Sequence, residues 1–118
     1  MTLMPSTITF EPGAIVAVRV RFSDGEGVKK RPVVILTDDI YHAAHADAVV
    51  VALTSNLATS RFGDCMIEDW NAAGLPAASK TKGSLHTIER TVGEKQYGKL
   101  SVKDLARVRE SVRQILGL

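Results

Sequence analysis

The chain has a single cysteine, Cys65, among its 118 residues. A lone thiol excludes an internal disulfide framework and a cysteine-rich zinc site. Aromatic residues make up only 5% of the sequence, so few rings are on hand to stack against a ligand. No apolar stretch approaches the ~18 residues needed to cross a bilayer. The stretch Met1–Phe10 has neither a basic n-region nor an apolar h-region, so no secretory signal is expected. These absences predict a cytoplasmic protein with no membrane contact. Neither sign of charge dominates: 15 Lys+Arg stand against 13 Asp+Glu, a formal +2 that is too mild to establish nucleic-acid binding by itself. There is no P-loop, no Gly-x-Ser-x-Gly elbow and no dinucleotide fingerprint. Repeats, low-complexity segments and linkers are also missing. One domain over residues 13–118 is expected, preceded by an N-terminal arm over 1–12.

The cations that are present are unevenly spread. Arg19, Arg21, Lys29, Lys30 and Arg31 crowd one N-terminal window, opposed inside it only by Asp24 and Glu26. Such a cluster neutralises phosphates if the fold gathers it, and is otherwise a solvated strand face and loop. From Ala14 to Phe22 the residues alternate, with Val16, Val18, Val20 and Phe22 on one face and Ile15, Ala17, Arg19 and Arg21 on the other. That period predicts a half-buried strand. Ser23–Gly27, with two glycines among polar residues, reads as a mobile loop, and the segment Ser23–Lys30 as able to close over a substrate. Pro32–Thr37 is a second strand that opens on proline, where no ladder donor is demanded. Residues 39–46 form a short helix or turn. Ala48–Leu53 is an unbroken apolar run, the mark of a central strand covered on both faces, and it ends at Thr54-Ser55.

Asn56–Gly63 reads as a polar loop and Cys65–Glu68 as a short strand. Trp70–Pro76 is irregular, and two further strands are expected in Ala78–Lys82 and Leu85–Val92. Ser101-Val102-Lys103-Asp104 opens a helix in the manner of a capping box, with Asp in place of the preferred Glu. Val102, Leu105, Val108, Val112 and Ile115 give that helix an apolar stripe, and Gly117 stops it. Its basic residues read as a solvated outer face. The fold class is therefore mainly β with a C-terminal α-helix, a small barrel or half-open sheet rather than a doubly wound one.

Chemistry has few places to sit. His42 and His45 are too few for a metal site and read as a solvated turn; no metal or other cofactor is expected. Cys65, among acidic neighbours, reads as a core or half-buried residue. Two constellations remain. Lys29-Lys30-Arg31-Pro32 launches a guanidinium, whose planar fork suits phosphate, from a backbone stiffened by proline. Thr54-Ser55 places two hydroxyls where a buried strand opens into a loop.

Pro12-Gly13, Phe22-Ser23-Asp24-Gly25, Lys30-Arg31-Pro32-Val33-Val34-Ile35-Leu36 and Val50-Val51-Ala52-Leu53-Thr54-Ser55 follow one another in order. Gly74-Leu75-Pro76, Ser79, Leu85-His86-Thr87-Ile88 and Gly98-Lys99-Leu100-Ser101 come after them. In that order and spacing, over roughly residues 10–118, the chain resembles the MazF/PemK family of toxin endoribonucleases. The resemblance implies an SH3-like barrel acting as a homodimer. It also implies metal-independent cleavage of single-stranded RNA to 2′,3′-cyclic phosphate and 5′-hydroxyl ends, and a small cognate antitoxin whose acidic and apolar tail fills the RNA groove. Carried over, the family's two functional residues are Arg31 and Thr54, as donors to the charge that builds on the phosphate. An arginine whose unperturbed pKa lies above ~12 is a poor proton shuttle, so Arg31 is expected to stabilise charge.

His86 is the candidate for the general base, since an unperturbed imidazole titrates near ~6.5. Arg19, Arg21, Ser23, Lys29, Lys30 and Ser55 are expected to contact RNA, the cations chiefly through phosphates. Phe22, Phe62, Trp70 and Tyr97 are the rings available for stacking, with Phe22 and Trp70 read first as core. The chain departs from the family at Gly83-Ser84, where many members carry an acid-amide pair, so a relative's cut sequence does not transfer. Two rival readings share the fold: a CcdB-like inhibitor of DNA gyrase, and a member that binds RNA without cutting it.

Overall fold

A computed structural model describes residues 8–20 and 29–118. Arg21, Phe22, Ser23 and the rest of the loop to Val28 lie outside the described residues, as do residues 1–7. The chain runs β1 (Ala14–Val20), β2 (Lys29–Ile35), α1 (Asp39–Ala44), β3 (Asp47–Thr54), β4 (Cys65–Met66) and β5 (Lys80–Glu89). A 3-10 turn (Arg90–Val92), β6 (Gly93–Lys99) and α2 (Val102–Leu116) complete it. The strands form one six-stranded sheet in the order β4-β5-β3-β2-β1-β6, with every pairing antiparallel. The expected mainly β fold with a terminal helix is present. Among the described residues its ladder is open rather than a complete barrel, with β4 and β6 as the two edges.

The central strands feed two apolar clusters, one on each face. Ile15, Val34, Val51 and Leu53 join Cys65, Ile67, Leu75, Leu100 and Val108 of α2, while Val16, Val18, Val33, Ile35, Val50 and Ile88 form the other cluster. Alternation along β1 is thus real, but the strand is not half-buried. Ala14 through Val18 are wholly buried, because α2 lies over one face and Ile8, Phe10 and Val92 pack on the other. Trp70 packs against the first cluster and Cys65 is buried in it, as expected.

Other expectations are corrected. The two strands expected in Ala78–Lys82 and Leu85–Val92 are one, β5, over Lys80–Glu89 with a register shift opposite Val51–Leu53, and Arg90–Val92 is a 3-10 turn. Gly83 marks that shift, and a Cβ there would stand 3.0 Å from the Phe62 carbonyl oxygen. β6 was not foreseen, since Gly-Glu-Lys-Gln-Tyr-Gly-Lys has no apolar alternation; as a half-exposed edge strand it needs none, and is held by its ladder to β1. In α2, Ser101 Oγ accepts from the Asp104 N–H at 3.1 Å, as a cap should. Asp104 does not reach back to close the box, however. Its buried carboxylate accepts the N–H groups of Glu68 and Asp69 at 3.1 and 2.8 Å, pinning the β4 exit to the helix. Val102, counted in the apolar stripe, is 89% exposed; Leu105, Val108 and Val112 carry the packing.

Candidate functional site

Pro32 sits in the middle of β2, three residues past its start, rather than opening the strand. Leu36 donates its N–H to the Val49 carbonyl, so by the alternation of an antiparallel ladder the even-numbered residues of β2 turn their backbone groups toward β3. At position 32 there is no N–H to give. The β2–β3 ladder accordingly stops at Val33↔Ala52, while β2 continues to Lys29 paired with β1 alone. Counting the register two steps on sets Arg31 across from Thr54, and residues that face each other across a ladder share a face of the sheet. The gap left between the two strand ends is a cavity of about 330 Å³.

That cavity gathers most of the described residues singled out from the sequence. Lys29, Lys30, Arg31, Thr54 and Ser55 line it together with Pro32, Leu53, Leu75, Pro76, Ala77, Ser79 and Tyr97. Arg31 is half-buried, with its Nε atom inside the wall, while Lys29 and Lys30 are exposed. Tyr97 is held in the opposite wall by a close approach of backbones. Gly74, at φ +87°, and Gly98 lie against the carbonyls of Tyr97 and Ala73, where no Cβ fits. Lys95 Nζ stands 4.9 Å from the Tyr97 ring centroid.

The Thr54 hydroxyl is oriented by its own turn. Oγ1 accepts the Asn56 N–H at 3.1 Å, and Asn56 Oδ1 accepts the Ala58 N–H at 3.1 Å. Since the oxygen is engaged as an acceptor, the hydroxyl proton is the group left to donate to a ligand.

Arg19 and Lys30 are ladder partners and share an acid. Glu94 on β6 lies 2.8 Å from Arg19 Nε and 3.9 Å from Lys30 Nζ. The Arg19 hydrogen bond, with the charges of both cations, holds the Glu94 carboxyl below its ordinary range. Arg19 is therefore at the margin, beside Lys30 and outside the cavity wall.

His86 is not brought to this place. It faces Val50 on β3, four positions before Thr54, or about 13 Å at a strand rise of ~3.3 Å per residue. It lines neither this cavity nor its neighbour. Burial, with the nearby Lys82 charge, lowers its pKa below that of a free imidazole. His42 Nε2 lies 2.8 Å from Thr37 Oγ1, and His45 stacks on Tyr41. Among the described residues no group of three or more His, Cys, Asp or Glu is gathered as metal ligands would be.

A second cavity, about 290 Å³, opens on the other side of Thr54. Asn56, Thr59, Arg61, Phe62, Asp64, Lys80, Lys82, Gly83 and Ser84 line it, and Thr54 belongs to both. Sequence reasoning picked out Phe62, which is 76% exposed here, but missed Lys80 and Asp64. Their side chains meet at 2.8 Å while only 7% and 12% exposed. Burial pushes the Asp64 carboxyl up, yet the Lys80 ammonium and the N–H groups of Arg61 and Gly83 outweigh it, and the pKa lies below the usual value. Nothing in the sequence flags this pair, because each residue alone reads as solvated.

The model of a PemK-like, MazF-like toxin of type II toxin–antitoxin systems matches residues 11–116. No curated protein matches the chain in sequence. Among solved structures, the Mycobacterium tuberculosis toxin MazF-mt6 superposes with a TM-score of 0.72 at 19% identity, over 89% of this chain and 97% of that one. A mycobacterial endoribonuclease in complex with its cognate antitoxin gives 0.72 at 16% identity, over 92% and 95% of the two chains. The Deinococcus radiodurans MazE–MazF structure (Form-III) gives 0.71 at 19% identity, over 92% and 96%. At these identities the superpositions establish a shared fold, while the family match spans the cavity, the Arg-Pro step and the Thr-Ser step alike. The chain belongs to the PemK-like, MazF-like toxin family of type II toxin–antitoxin systems.

Proposed function

We propose that this protein is a toxin endoribonuclease that cuts single-stranded RNA, messenger RNA included, at short sequences without a metal ion. The products carry 2′,3′-cyclic phosphate and 5′-hydroxyl ends. One observation carries this reading: Arg31 and Thr54, from two strands whose ladder is broken by Pro32, line a single cavity. RNA brings its own nucleophile. The 2′-oxygen attacks the adjacent phosphorus, the bond to the 5′-oxygen breaks, the 2′ proton is lost and the departing 5′-oxygen gains one. Negative charge meanwhile builds on the non-bridging oxygens. Arg31 supplies a permanently charged planar fork to those oxygens and Thr54 supplies its hydroxyl proton, each worth ~3 kcal/mol when preorganised.

Lys29, Lys30 and Ser55 hold the strand at the rim, with Arg19 beside them; Arg21 and Ser23 carry the same expected role from outside the described residues. His86 is given no step, as it stands away from the cavity. We extend to this chain the neutralising partner seen with its relatives, an antitoxin. An acidic, apolar segment suits a cavity with cations at its mouth and Leu53, Leu75 and Tyr97 in its wall. The active form is a homodimer, as the family relationship implies. A gyrase inhibitor would have no use for the Arg31–Thr54 pair, and an RNA binder without activity would bind and not cut.

The test is a long single-stranded RNA incubated with purified protein in excess chelator. Cutting with cyclic-phosphate ends supports the reading. Binding without cutting, or inertness toward RNA with arrest of topoisomerase activity, removes it.

A further inference from the structure

We propose that Lys80 is a positioning residue for the Thr54 hydroxyl, acting through the loop over 55–64; the inference rests on the RNA-cleavage reading above. Thr54 is the last residue of β3, and Lys80 is its ladder partner on β5. In the loop that leaves Thr54 the two large apolar side chains, Leu57 and Phe62, are both exposed, and its far end rests on Ile115 of α2 through Gly63. Elsewhere its attachment is polar. Lys80 Nζ reaches the Asp64 carboxylate at the far end of the loop and donates to the Thr59 carbonyl in its middle. Asp64 in turn accepts the Arg61 N–H at 3.0 Å. One ammonium, on the residue facing Thr54, thus grips the loop at two points.

The near end of the same loop sets the hydroxyl, through the Asn56 N–H that Thr54 Oγ1 accepts. Where the loop sits decides where Asn56 sits, and so where the Thr54 proton points. The Lys80 ammonium is buried against its carboxylate, whereas Lys29 and Lys30 are exposed. Its contribution to cleavage is then geometric, and should appear in kcat and not in RNA binding.

The measurement is made on Lys80→Met combined with Asp64→Asn, which removes both charges and leaves neither buried alone. A misplacement of about 1 Å lowers kcat by about 10- to 100-fold, with KM changed by no more than about twofold. In a Thr54→Val background the same pair of substitutions alters the residual rate by less than about twofold, because the group being positioned is gone. Lys80→Arg, which keeps the cation and its donors, restores kcat to within about threefold of the wild type.

An unchanged kcat overturns the proposal, and so does an equal loss in both backgrounds. If the double variant does not fold, Asp64→Asn alone carries the comparison, with an unchanged kcat again overturning it. Hydrogen exchange at the Asn56 amide is a readout that needs no RNA, and it accelerates by about tenfold or more when the loop is released. Unchanged exchange contradicts the mechanism. Faster exchange in a protein that cuts no RNA leaves the tether in place and removes only the cleavage reading.

Discussion

The two sides of Thr54 use cations in opposite ways. Toward β2, Lys29 and Lys30 are exposed and Arg31 is half-buried, all at the open end of a ladder that Pro32 interrupts. Toward β5, Lys80 is sunk against Asp64 and a backbone carbonyl. A cation at an open strand end is within reach of phosphate oxygens, whereas one buried against a carboxylate in the interior can only hold protein to protein. Residue type alone therefore does not mark a phosphate contact; the ladder and the burial around it decide.

The largest expected effect breaks the first side. Arg31→Ala should lower RNA cleavage by about 10³-fold in single-turnover assays, the loss of a charged donor at the reacting phosphate, while the melting temperature hardly moves. Thr54→Val should cost about 10²-fold with little change in KM, because a single neutral donor is lost.

Acid sharpens the other side. Asp64 has a folded pKa below its unfolded value, so its stabilising contribution is complete above the ordinary carboxylate range and fades as pH falls through the folded value. Asp64→Asn should destabilise the protein by about 2 kcal/mol at neutral pH, the cost of leaving a buried partner poorly satisfied. That deficit should shrink in melts recorded progressively below about pH 4, where the wild-type carboxyl also becomes neutral. Lys30→Ala is expected to weaken RNA binding several-fold and to flatten the salt dependence by about 0.7 in slope, as one phosphate contact is lost. Smallest of all, His86→Ala should leave cleavage within about twofold, consistent with a residue about 13 Å along the sheet from Thr54; a loss above tenfold would return it to the reaction.

How much of this could be read beforehand differs by element. β1, β3 and α2 were legible because their side chains face cores: alternation, an unbroken apolar run and a stripe with caps are all consequences of burial. β6 was not, since an edge strand held by its backbone leaves no such trace in Gly-Glu-Lys-Gln-Tyr-Gly-Lys. Arg31 and Thr54 were named from motif order, yet the reason they meet lies in the ladder parity that turns the Pro32 nitrogen toward β3, which a linear sequence does not display. Asp104 was recognised as a cap residue, but its service to Glu68 and Asp69 depends on a tertiary contact. Lys80 and Asp64 lie on different elements, and only the fold makes them a pair.

The most direct measurement is a structure of the protein bound to its preferred RNA with a 2′-deoxy nucleotide at the cut, which cannot react. The Arg31 guanidinium and the Thr54 Oγ1 should both lie within about 3 Å of non-bridging oxygens on that one phosphate. Finding them on different phosphates, or finding Thr54 without a contact to the strand, would contradict the shared role assigned to them.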